Sequence, residues 1–467
     1  MRAIKITALF LTAILFCSCF GKKQTPESGD TTFEFVGDEK LFPFFCIDTS
    51  GALVRVTDGK CERLHKNVSY FSGGKDESFV YITGGRIIFA ADITLKRGTA
   101  VCELWEARSG APAQCIKTDV RLDSLRISGS GNIIFTDSNR TLFLKREDSL
   151  VTVEETTACA EFAGDETVLY IVNGGVYAYS PDGKTYLADG ENIIPGGKNA
   201  YIIKDIKRVQ RRARSIYTAT CTVLSGGEPF AEIASAAVDG LSPGYVLALD
   251  GNRVSVRYKL YYIGETVQTV AENVVAGKLL KNGVYVFEKE EDTGTKTYCC
   301  KNGKVFYSGE VPINAIYVCG ENTYSLYLGN LVSLDSGTEI FTDIRTAEFS
   351  NNCIFVSKDI KPPYSAKVYA SGSVFQVNNV SRAECAFASG MLYYYSDYAD
   401  IMRVNTSLNT VTALISNTDT DIGFICTGDF AAAAKNDDKS LYIAGETKTV
   451  DTKIKISRFI KNNEVIE

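Results

Sequence analysis

The sequence predicts an all-β chain built of repeated four-stranded antiparallel units, and three observations carry that prediction. Twenty-five Tyr and 25 Phe stand against 3 Met and 1 Trp among 467 residues, a balance that favours strands over helices. Short apolar runs are punctuated by Asp-Gly, Asn-Gly and Gly-Gly, which supply the positive-φ positions of tight hairpins. A common pattern then recurs along most of the chain at a spacing of about 30 to 45 residues.

The clearest copy is Met391 to Ser416. It reads as an apolar strand, a Ser-Asp turn, a second strand Ile401-Met402-Arg403-Val404, an Asn-Thr-Ser turn and a third strand Val411 to Ile415. A fourth apolar run, Ile422 to Cys426, follows Asp419 and Asp421. Aligning on the first strand of this copy gives about eleven units. They begin near Phe44, Ile87, Ile133, Val168, Tyr201, Tyr245, Val284, Tyr324, Cys353, Leu392 and Phe430.

Taken in order, residues 1–19 read as a secretion signal: Arg2 and Lys5 are followed by an apolar run, Ile6 to Phe16. That run has about eleven residues, short of the roughly twenty that span a bilayer as a helix. Ser18 directly before Cys19 resembles the lipobox of bacterial lipoproteins, which makes Cys19 the expected lipidation site. Phe16 stands where a Leu is usual, and an ordinary cleaved signal peptide is the alternative. Residues 20–32, which carry Lys, Gln, Pro, Ser and Gly and no apolar period, read as a flexible tether. The repeats fill 33–243 and 244–467, and Leu241-Ser242-Pro243-Gly244 is the expected division between two sets of them.

An isolated four-stranded sheet leaves an apolar face open, so each unit must stack on its neighbours. Stacking into a ring also removes most exposed edges. The expected fold is therefore a β-propeller of four-stranded antiparallel blades. About eleven units exceed the four to eight blades of one ring. Either some are half-blades of a single seven- or eight-bladed ring, or two smaller propellers lie in tandem.

Tyr394-Tyr395-Ser396-Asp397 followed by Ile401-Met402-Arg403-Val404 resembles the blade of the YWTD propellers. Phe135-Thr136-Asp137 with Leu142-Phe143-Leu144 is a weaker echo of it. Gly175-Val176-Tyr177-Ala178-Tyr179 with Asp182-Gly183-Lys184 is similar to blades of PQQ-repeat and TolB-like bacterial propellers. That resemblance implies an envelope lipoprotein of the kind that serves in outer-membrane assembly. The docking tryptophans of PQQ repeats are missing, since the one Trp is Trp105, so no quinone or other cofactor is expected.

Composition narrows the chemistry. A net charge of −6 over 467 residues argues against nucleic acid as a partner, and leaves the lipid as the only expected membrane attachment. The single histidine, His65, rules out multi-histidine metal sites and has no Ser or Cys motif beside it, so it reads as an ordinary exposed imidazole and no metal site is expected. Asn417 to Gly423 resembles a calcium loop but places Gly one position late and Gly428 where a bidentate Glu belongs, and so reads as a polar turn. Twelve cysteines follow Cys17 and Cys19, with no Cys-x-x-Cys among them. Cys102 and Cys115 flank the Arg108-Ser109-Gly110 turn symmetrically and make a conceivable cross-strand disulfide; the others read as small core residues, with Cys299 and Cys300 on opposite strand faces.

One surface feature stands apart: the basic run holding Lys204, Lys207, Arg208, Arg211, Arg212 and Arg214. It suits an anionic partner such as a lipid headgroup, acidic glycan or acidic protein face, or it is a solvated hairpin loop. The expected function is a non-catalytic, lipid-anchored envelope propeller that binds or scaffolds an envelope protein or glycan. The alternative is a glycan-active enzyme working through two carboxylates, for which no residue pair can be selected from the sequence.

Overall fold

A computed structural model describes residues 33–34 and most of 44–460, apart from internal stretches of one to five residues such as 212–213, 251–254, 419–423 and 435–439. The signal, the tether and Cys19 lie outside the described residues. Every regular element among the described residues is a β-strand, save two 3-10 turns, Leu122–Ser124 and Ile313–Ala315.

The strands assemble into antiparallel units of four. Four of these units stand as separate four-stranded sheets, and the others are fused into sheets of seven, eight and ten strands. Fusion has one cause. The long strands Glu228–Ser242, Val267–Leu279 and Ser373–Ala388 each close one unit with their first half and open the next with their second. Ala237 of the first pairs back to Thr218, for instance, while its Leu241 pairs forward to Val246. Each carries register shifts where it changes partner, between Ala236 and Leu241, Val274 and Ala276, and Val380 and Cys385.

Counted this way, most of the described strands form eleven units of four; Phe33–Glu34 adds a strand beside Lys60–His65, and the hairpin of Tyr70–Ser72 and Lys75–Glu77 stands outside them. The half-blade alternative therefore does not describe them. The sequence-derived starting points fall on the second strand of each unit, as with Arg86–Lys96, Ile133–Thr136 and Met391–Ser396. Correspondingly, the run Ile422 to Cys426 does not finish the Met391 unit. Its strand, Phe424–Thr427, opens the following one.

Second strands stand out because they are buried on both faces, as in Ile133–Thr136 and Thr167–Val172, and so read as continuous apolar runs. Fourth strands such as Ser149–Glu154 and Lys304–Gly309 are largely exposed. Alternation within a buried strand assigns its two faces to two neighbours. Val168 and Tyr170 pack with Ile134, Leu142 and Leu144 of the preceding unit, while Leu169 and Ile171 pack with Ala200 and Ile202 of the following one. Tyr201 and Ile203 then face onward to Val246 and Ala248, and Tyr245 and Leu247 onward again to Tyr285 and Phe287. Cys299 and Cys300 point to opposite faces, as expected, one in the cluster of Val284 and Ile316, the other in that of Tyr245 and Leu260.

Contacts divide the chain into two compact units, 124–377 and a second made of 1–123 with 378–467. The first holds seven four-stranded sets. The division expected at 243/244 is corrected. Leu241–Val246 and Ser242–Tyr245 pair across Pro243-Gly244, with Gly244 at φ 74°, so that stretch is a hairpin turn inside the ten-stranded sheet. Pro-Gly signals a turn as readily as a linker.

Within the second compact unit, Phe44–Asp48 pairs with the end of Thr449–Phe459: Cys46 opposite Phe459, Ile47 opposite Arg458 and Asp48 opposite Ile456. The first part of Thr449–Phe459 pairs with Ser440–Ala444. This strand too serves two sets, one late in the chain and one early.

Candidate functional site

The basic run forms a β-hairpin from Asn199–Arg211 and Arg214–Ser225. A bulge between Lys204 and Lys207, with Asp205 at φ 56°, shifts the register, and the ladder then continues through Lys207–Thr218, Arg208–Tyr217, Val209–Ile216, Gln210–Ser215 and Arg211–Arg214. On one side, Asn192–Gly196 pairs only as far as Ile203. On the other, Glu228–Ser242 pairs only as far as Thr218. Residues 207–211 and 214–217 therefore extend as a two-stranded arm beyond the sheet that carries them.

The arm has two unlike faces. Lys207, Val209, Arg211 and Arg214 share one with the buried Ile216 and Thr218. Arg208, Gln210, Ser215 and Tyr217 share the other, where Tyr217 is 54% exposed. Arg208 donates from Nε and Nη2 to Ser215 Oγ at 3.1 and 2.8 Å, and that hydroxyl donates to Gln210 Oε1 at 2.7 Å. Arg208 stands opposite Tyr217 in the ladder, so these contacts hold its guanidinium on the face that carries the exposed ring. Lys204 differs, being paired with Glu232 at 3.3 Å. Burial raises the Tyr258 phenol, Asp239 adds to this and Arg214 partly offsets it, which places the Arg214 charge near that ring. Arg212 lies outside the described residues.

The other expected sites separate. Cys102 stands opposite Val120, and Cys115 opposite Trp105, so the observed ladder is displaced from the symmetric hairpin that would oppose the two cysteines. The displacement is already present at Gln114–Glu106 and Cys115–Trp105, register shifts at Cys115/Lys117 and Lys117/Val120 add to it, and both thiols are free. Burial pushes Cys102 up to about 12, leaving it a protonated core residue. Most of the calcium-like loop lies outside the described residues.

A second cluster was not visible in the sequence. One ligand atom each from His65, Asp92 and Glu103 lies within 4.8 Å of the others. His65 ends the strand Lys60–His65, Asp92 sits at a bulge in Arg86–Lys96, and Glu103 lies on Thr99–Arg108. Their spacing follows no motif, because strand pairing and a bulge bring them together. The one signal that points there is the chain's single His and single Trp, whose rings stand 4.5 Å apart.

No known protein family matches this chain, and no curated protein does. Among solved structures it is similar to the β-propeller domain of the Trilobed protease from Pyrococcus furiosus, described as having an open velcro topology, with 11% identity and a TM-score of 0.30 over 66% of this chain and 95% of that one. It is similar to the acylaminoacyl peptidase of Pyrococcus horikoshii at 12% identity and a TM-score of 0.29, covering 68% of this chain and 57% of the peptidase. A computationally designed protein, Ika8, matches at 14% identity and a TM-score of 0.23 over 60% of this chain and 94% of that one.

Proposed function

We propose that this chain is an exported, lipid-anchored β-propeller that binds an anionic component of the cell envelope through its basic hairpin. The arm of residues 207–211 and 214–217 is the observation that carries the reading: it extends past its sheet with Arg208 and the exposed Tyr217 on one face and Lys207 and Arg214 on the other. Arginine and tyrosine are the side chains from which binding hot spots are most often made. The anchor rests on Cys19 with its preceding Ser18 and apolar run. The propeller part of the reading is supported by stacking of successive units within 124–377 and, within the other compact unit, by the pairing of Phe44–Asp48 with Thr449–Phe459.

The test is cross-linking in intact cells, capture of the tagged chain and mass spectrometry of what accompanies it. A variant with Lys207, Arg208, Arg211 and Arg214 changed to Ala should lose at least tenfold of the captured partner with an unchanged Tm. Raised salt should release the partner from the wild type, because exposed charges are screened within about 10 Å at 0.1 M. Equal capture by variant and wild type would remove the arm from the interface.

The carboxylate-enzyme reading can be tested on Asp92 and Glu103, whose closest approach is within 4.8 Å. Retaining glycosidases hold their two carboxyl groups roughly 5–5.5 Å apart. Hydrolysis of envelope glycan by the wild type, abolished by Glu103→Gln, would favour that reading.

A further inference from the structure

We infer that His65, Asp92 and Glu103 form a binding site for a single divalent transition-metal ion of the Zn2+ type. The set is one imidazole and two carboxylates, three ligands that leave a coordination position open. An imidazole suits zinc-like ions better than Mg2+ or Ca2+, which prefer all-oxygen shells.

The surroundings prepare each ligand. His65 Nδ1 is hydrogen-bonded to the Lys66 carbonyl. A carbonyl cannot donate, so Nδ1 carries the proton and Nε2 keeps a lone pair for a metal. Its ring is held against Trp105 at 4.5 Å and Phe89 at 5.9 Å between centroids. Trp105 Nε1 donates to Glu103 Oε2 at 3.1 Å, which fixes that carboxylate and leaves Oε1 for a ligand. Asn67 Nδ2 donates to Asp92 Oδ1 at 2.9 Å, and the Asp92 N–H donates to the Asn67 carbonyl at 3.0 Å. Asn67 and Asp92 both adopt positive φ, 56° and 50°, so two left-handed residues pin the segment after His65 to the bulge carrying Asp92. Among the described residues neither carboxylate has an ion-pair partner, although their oxygens approach within 4.8 Å. A bound cation would neutralise that like-charge contact.

Trp105 makes the test direct, since it is the only tryptophan and so all indole fluorescence reports this site. The purified full chain, carrying Cys115→Ser to remove the exposed thiol opposite Trp105, is titrated with Zn2+ and separately with Co2+. The expected result is a saturable change in emission at one equivalent, a rise in Tm, and visible Co2+ absorption bands. His65→Gln and Glu103→Gln should each weaken the response at least tenfold. Glu103→Gln keeps an oxygen for the indole N–H, so its fold is preserved, and circular dichroism checks both variants. No saturable change with either ion, or the same half-saturation in the folded variants as in the parent, would overturn the site.

Discussion

Asp48 shows how one side chain can hold a turn and a strand junction together. Its Oδ1 accepts from the N–H groups of Ser50 and Ala52 at 2.8 and 3.0 Å, and its Oδ2 accepts from Arg63 at 2.7 Å. The residue itself stands opposite Ile456. Burial works against its charge, but the Ser50 hydroxyl, the Ala52 N–H and Arg63 outweigh it and hold the carboxyl below its ordinary value. A depressed carboxylate contributes stability above the unfolded value of about 3.9, and that contribution is lost as pH falls through the folded value. Asp48→Ala is expected to cost about 1–3 kcal/mol at neutral pH, the range for leaving buried donors unpaired. Thermal melts of the two chains should begin to converge below about pH 4 and meet only once pH has fallen through the lower folded value, where the wild type loses the same contacts. His65 teaches the opposite lesson about legibility. In sequence it reads as an ordinary exposed imidazole, whereas in the fold it is half-buried against Trp105 and faces carboxylates from two later strands. Neighbours that arrive through strand pairing leave no trace in local spacing.

Turn chemistry is the part of each element that sequence expresses best. Asn302-Gly303 joins Gly294–Lys301 to Lys304–Gly309 with φ of 51° and 74°, and Asn173-Gly174 repeats the geometry at 51° and 81°. Both are the Asn-Gly hairpins that the dipeptide predicts. Their glycines differ in what surrounds them. A Cβ on Gly174 would meet nothing within 4 Å, whereas one on Gly303 would come 2.7 Å from Tyr262 Cδ1. Gly174→Ala should therefore cost about 1–2 kcal/mol from the left-handed backbone alone. Gly303→Ala should cost more, as measured by urea unfolding, and pairing it with Tyr262→Ala should remove the excess. Unit boundaries, by contrast, are hidden. A strand such as Ser373–Ala388 belongs to two units and crosses between them without a Gly or Pro, so apolar periodicity marks the buried second strand instead of the true start. The basic run misleads for a related reason: its cations alternate across a ladder, which only the bulge at Lys204/Lys207 settles.

At the scale of the whole molecule, the eleven repeated units were legible because each must bury an inner strand on both faces. Which units meet was not, since no local signal links residue 46 to residue 459. That pairing can be trapped. Cys46 and Phe459 are direct cross-strand partners, and such partners have Cα atoms about 4.5–5.5 Å apart, within disulfide reach. Phe459→Cys is expected to cross-link to Cys46 under mild oxidation, seen as a disulfide-linked peptide by mass spectrometry and a faster band on a non-reducing gel. A chain that oxidises without joining these two positions would contradict the pairing.

This pairing also sets a schedule. Ribosomes add about 5–20 residues per second, so the partner strand Thr449–Phe459 emerges on the order of tens of seconds after Phe44–Asp48. Throughout that interval the early strand has one edge unpaired, and an unpaired apolar edge is a template for any other chain nearby. A cell making this protein must keep that edge covered or keep the nascent chain extended until its distant partner arrives.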